Sequence, residues 1–212
     1  DEDPDDVTGS GNLADWRSIS LAHDGSNLYL AYVNDGPISL NWAYTLYMDI
    51  DANPATGFRG FQDEFPIGSD YILQGAHLFR YSGNGSSWSW TYAGTATSAV
   101  SGGRAELALP RSWIGNSPQI HFFAVADNAA FPGGSAIDLY PDGALTAGAT
   151  GRYLTYTFGS ISNPVSSIVV DGTLSDWAGT VPFGSDPDDI SGTADLLDWK
   201  QVQIAHNSSR LF

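Results

Sequence analysis

Asp49, Asp51 and Asn53 occupy alternate positions in MDIDANPATGFRG, residues 48–60, and Pro54, Thr56 and Gly57 turn the chain just beyond them. In a loop, that spacing can gather side-chain oxygens and a backbone carbonyl around one ion, and short oxygen donors of this kind suit calcium. The segment departs from an EF-hand loop, lacking its central glycine and its terminal bidentate glutamate. Further ligands would therefore come from the residues that follow, where Asp63, Glu64 and Asp70 stand. A Ca2+ site on Asp49, Asp51, Asn53 and Asp70 is the expectation, with an ion-free, Asx-rich hairpin loop as the alternative.

A second acidic group, Asp3, Asp5 and Asp6, places three carboxylates within four residues. Such groups resist ionising together unless a cation or backbone amides neutralise them, so a metal and a loop-to-strand cap both fit. The group also recurs. Residues 3–29 return as residues 186–212 at a constant offset of 183, with 12 of 27 positions identical. A period this long is the length of a domain, which marks tandem copies and not a solenoid. The chain then reads as a window on a longer array. Residues 1–163 make one repeat lacking its opening strand, and residues 164–212 make a linker plus the opening segment of the next. Because the duplicated segment cannot occupy one slot twice, self-association of chains through it is expected.

Around these groups the sequence predicts strands. Gly, Pro, Ser and Thr are abundant, and short apolar runs alternate with polar residues. Strands are expected over 16–23, 27–33, 40–50, 71–73, 78–81, 87–92, 96–100, 104–109, 119–126 and 152–158. Asp24-Gly25 and Ser82–Gly85 supply hairpin turns. One helical turn is expected between Pro110 and Gly115. Ten strands at this spacing close as an all-β, two-sheet antiparallel sandwich of jelly-roll type, followed by a C-terminal partial repeat.

Two stretches could bind a ligand. In SWSWTY, a period of two puts Trp88, Trp90 and Tyr92 on one strand face. An exposed aromatic face of this sort stacks on sugar rings, whereas a buried one is simply core. The second stretch, residues 126–142, reads as a long polar loop at one end of the sandwich, where Asp127 and Asn128 are candidate ligand contacts.

Composition narrows the function. The formal charge is −16, from 24 acidic residues against 8 Lys and Arg, and only 3 of the acids are glutamate. A field of that sign repels nucleic acid and anionic membranes. No cysteine is present, so disulfides and thiolate sites are excluded. No run of about 18 apolar residues that could span a membrane occurs. Catalytic fingerprints are missing, the four histidines are scattered, and Glu64 with Glu106 is no evidence of a glycosidase pair. The expectation is a protein that is not an enzyme.

VDGTLSDW (Val170–Trp177), the acidic DPDD segment, and DWRSISLAHDGSNLYLAY (Asp15–Tyr32) resemble the opening of family 9 carbohydrate-binding modules and related DOMON-like sandwiches of secreted bacterial proteins. The MDIDANPATGFRG loop with GSDYIL is similar to calcium-associated loops of such modules. The resemblance implies a jelly-roll sandwich, an extracellular or cell-surface location, and binding of calcium and of a polysaccharide or glycan. It fixes no sugar site, so Trp88, Trp90 and Trp42 remain candidates only. Haem binding, known among the DOMON-like relatives, would need a Met and His axial pair. Met48 is the sole methionine and lies in the proposed calcium strand. The rival reading is a structural repeat that links copies head to tail into a filament, matrix or adhesin stalk.

Overall fold

In a computed structural model, the described residues are 15–127, 137–141 and 152–158, together with the backbone of a short strand pair at 184–185 and 201–202. The chain divides into two compact units, Asp1–Phe158 and Gly159–Phe212. The first is nearly all β. One antiparallel sheet has the order β1 (Trp16–His23), β2 (Asn27–Asn34), β8 (Arg104–Pro110), β7 (Thr97–Ser101). The other runs β10 (Ile137–Tyr140), β9 (Gln119–Asp127), β3 (Tyr44–Asp49), β4 (Tyr71–Gln74), β5 (His77–Tyr81), β6 (Trp90–Thr95), and β11 (Leu154–Thr157) also pairs with β9. In the second unit, β12 (Gly184–Ser185) pairs antiparallel with β13 (Gln201–Val202).

The two sheets pack as a sandwich because alternate residues of each strand face the other sheet. Leu28, Leu30 and Tyr32 of β2 meet Tyr44, Leu46 and Met48 of β3 and Ile120, Phe122 and Ala124 of β9 in one core. Trp16 is 1% exposed and sits edge-on to Tyr32 and Tyr44 at 5.2 and 5.4 Å. A hydrogen bond crosses between the sheets here, from Trp16 N of β1 to Asp138 Oδ2 of β10 at 2.6 Å.

Three expectations are corrected. Residues 126–142 are not one polar loop, because 137–140 pair with 124–127 as β10. Asp138, inside that expected loop, accepts the Trp16 amide with its carboxylate. The strand expected over 40–50 begins only at Tyr44, since Asn41 Oδ1 accepts the Ala43 amide and holds a turn. The strand expected from Ser87 begins at Trp90, because Ser82–Ser89 close around Tyr81, whose hydroxyl donates to Ser87 O and accepts from Gly85 N. The helical turn forms where it was expected, as a 3-10 turn over Arg111–Ile114 ended by Gly115 at φ 72°.

The seven-stranded sheet is buried on both faces over part of its width. Tyr47, Ile72 and Phe123 point away from the sandwich core and are covered by Phe58 and Ile67 of the long β3–β4 connection. This connection therefore adds a small second core outside the sheet. Its two arms meet at Gly57 and Gly68, where a side chain on Gly68 would collide with the Thr56 carbonyl. Phe58 N and Ser69 N each donate to the other residue's carbonyl, at 2.8 and 2.9 Å, and close the same contact.

Candidate metal centre

The β3–β4 register sets Met48 opposite Tyr71, so Asp49 and Asp70 emerge as neighbours at the end of the two strands. The Asp70 amide donates to Met48 O at 2.8 Å, and Asp70 Oδ2 accepts the Ile50 amide at 3.0 Å. Beyond β3 the chain turns at Ala52, which adopts φ 55° in the left-handed region. Asp49 Oδ1 holds that turn by accepting the amides of Asp51 and Ala52 at 3.1 and 2.8 Å. The turn brings Asp51 back, and one carboxylate oxygen from each of Asp49, Asp51 and Asp70 lies within 4.8 Å of the others.

Electrostatics make this arrangement costly. Asp49 is 1% exposed, and its second oxygen, Oδ2, is buried with no hydrogen-bond partner. The nearest cationic candidate, His121 Nδ1, stands 4.0 Å away. Burial first, and then the neighbouring Asp70 and Asp51 charges, raise the Asp49 carboxyl to about 6. Burial likewise raises Asp70, helped by Asp51 and opposed in part by the Arg80 charge. A buried carboxylate oxygen without a donor is unfavourable unless a cation or proton reaches it.

The three aspartates could hold a metal ion. The separation fits: oxygens that each bind one calcium at 2.3–2.6 Å lie at most about 5 Å apart. An all-oxygen donor set also suits a hard cation in preference to one that selects sulfur or imidazole.

Asn53 stands in the same turn, its amide donating to Asp51 Oδ1 at 2.9 Å. The Asn53 side chain caps its own turn, accepting the Ala55 amide at 3.1 Å, while Asn53 O accepts from Thr56. Thr56 Oγ1 also donates to the Asp51 carboxylate, at 3.0 Å to Oδ2, which steadies the third acid. Asp3, Asp5, Asp6 and Asn128 lie outside the described residues. Asp127 ends β9, where its amide donates to Ala43 O. Trp42 sits exposed on the turn before β3.

The aromatic stripe does not form one uniform strand face. Trp90 is half-buried on the outer face against Tyr81 and Phe58. Tyr92 is exposed and reaches Phe79 and His77. Trp88 precedes the strand and leans on Phe58 and Trp90 at 5.4 and 5.5 Å. Sequence reasoning missed Phe61, which stacks beside Trp88. A usable signal was present, since the metal-loop segment carries Phe58, Phe61, Phe65 and Ile67, too many apolar residues for a solvated loop.

The raised carboxyls give stability a definite pH dependence. Without metal, folded Asp49 holds its proton more tightly than the unfolded chain does. Its contribution is therefore fully present below about pH 4 and is lost as pH rises through about 6. Asp70 acts in the same direction. A bound cation requires the ionised form, so its stabilisation grows over the same interval. Melting curves in chelator and in calcium should diverge as pH rises from 4 to 7.5, and a gap independent of pH would contradict this assignment.

In comparisons with known proteins, the chain matches no family model, no curated protein sequence and no solved structure.

Proposed function

We propose that this chain is a non-catalytic, calcium-stabilised β-sandwich module of a secreted or cell-surface bacterial repeat protein, and that it binds carbohydrate. The observation that carries the calcium part is the Asp49 carboxylate, buried at 1% exposure with one oxygen lacking a donor and two further carboxylates beside it. A calcium ion would complete that group and pin both ends of the β3–β4 connection to the sheet. Asp49, Asp51 and Asp70 are its ligands from this chain, with water completing the coordination that calcium demands.

Carbohydrate is supported by the resemblance of Val170–Trp177 and Asp15–Tyr32 to family 9 modules and by exposed aromatic rings on the outer sheet face. Among the described residues, no helix is long and apolar enough to cross a membrane.

The duplicated segment favours a second reading, a structural repeat that links copies head to tail. The two readings predict different behaviour of the intact chain. On a glycan array in calcium, a binding module retains a defined set of glycans, and light scattering finds a monomer. A structural repeat forms chain-to-chain assemblies and retains no glycan. Assemblies that persist after deletion of residues 184–212 would remove the duplicated segment from that explanation.

A further inference from the structure

We propose that Phe61 and Trp88 form a preformed stacking platform for a neutral pyranose ring, which rests on the carbohydrate-binding reading above and gives it a site and a ligand class. Both rings are exposed, Phe61 at 63% and Trp88 at 46%. Their planes lie 29° apart with centroids 6.2 Å apart, so the two rings stack as one near-parallel aromatic pair. The apolar C–H face of a sugar stacks on a surface of this kind.

The platform is held rigid from below. Buried Phe58 meets Phe61 at 5.5 Å and Trp88 at 5.4 Å, both edge-on. Glu64 accepts the amides of Phe61 and Gln62, at 3.3 and 2.7 Å, and so fixes the turn that raises Phe61. Trp88 is fixed by its neighbours, because Tyr81 Oη donates to Ser87 O and the Ser82 amide donates to Ser89 O. Little ordering remains to be lost on binding, which favours affinity from a small contact.

Polar groups stand beside the rings. The Arg59 amide donates to Gly85 O at 2.8 Å, which ties the segment carrying Phe61 to the one carrying Trp88. Its guanidinium donates to Asp63 Oδ1 at 2.8 Å and to Ala55 O at 3.1 Å, which leaves further N–H groups and an exposed carboxylate for sugar hydroxyls.

Size and charge select the occupant. Two half-exposed aromatic side chains offer about 150–250 Å², well short of the roughly 800 Å² per partner of a stable protein interface. Among the described residues, the other exposed large apolar side chains make no ring contact with this pair. A net charge of −16 disfavours an acidic glycan.

Titration calorimetry of the calcium-saturated chain with cellohexaose, mannohexaose and hexagalacturonate tests the proposal. At least one neutral hexasaccharide should bind. Trp88→Ala and Phe61→Ala should each weaken it by about tenfold or more, the loss expected of a central contact. Trp88→Leu, which keeps an apolar group over Phe58 but removes the flat face, should do the same. Val100→Ala, exposed on β7 of the other sheet, should leave affinity within about twofold. Neutral-sugar binding unchanged in the Trp88 and Phe61 variants overturns the platform while leaving the carbohydrate reading standing. Binding of hexagalacturonate alone overturns the neutral class. No binding of any probe overturns both.

Discussion

Chelation of calcium is expected to lower the melting temperature of this chain by about 5–10 °C near neutral pH. An ion present at 100 times its dissociation constant stabilises the folded state by about 2.7 kcal/mol, and a domain of this size loses roughly 2–4 °C per kcal/mol. Asp49→Asn separates this account from a loop held by hydrogen bonds alone. Asparagine keeps an oxygen to accept the Asp51 and Ala52 amides, so the turn survives. It removes the buried negative charge and can donate toward the neighbouring carboxylates. Without calcium, the variant should therefore be at least as stable as the parent, and the gain on adding calcium should disappear. A variant that keeps the full calcium response would place the ion elsewhere.

Phe58→Ala is expected to cost about 3–5 kcal/mol in urea unfolding, the range for truncating a buried aromatic. Phe58 is fully buried and touches the rings of Phe61, Phe65, Tyr81, Trp88 and Trp90. The segment has no strand or helix of its own between Asp49 and Tyr71, so side-chain packing adds to the few backbone hydrogen bonds that hold it. In melting temperature the loss corresponds to roughly 6–20 °C. A cost below about 0.5 kcal/mol, the range of surface changes, would mean that the outer core contributes little and that the loop is held by other contacts.

Much of the sandwich was legible because its strands obey local rules. WRSISLAH forms β1 from Trp16 to His23 as its alternation predicts, and Asp24 closes the hairpin by accepting the Ser26 and Asn27 amides. Pro110 and Gly115 bracket a helical turn from their own backbone preferences. Asp49, Asp51 and Asp70 could be listed from spacing. Their meeting depends on a strand register that pairs Met48 with Tyr71, far apart in the chain, which no local pattern encodes.

The outer core was illegible for a related reason. Phe58, Phe61, Phe65 and Ile67 follow neither a strand nor a helix period, so they suggested no element. The clue lay in the partner strands, where YTLYM and IHFFAVA are apolar on both faces, as in a sheet covered on both sides. A covering layer had to come from somewhere in the chain, and the candidate metal loop supplies it. The loop thus links two features read separately in the sequence, the acidic cluster and the SWSWTY aromatics, because its Phe61 stacks beside Trp88.

Calorimetric titration of calcium into the metal-free chain and into Asp49→Asn tests the central assignment most directly. A single site that saturates in the parent near neutral pH, weakens as pH falls through about 6 and vanishes in the variant is the predicted result. Absence of binding at millimolar free calcium, or equal affinity in the two proteins, would contradict it.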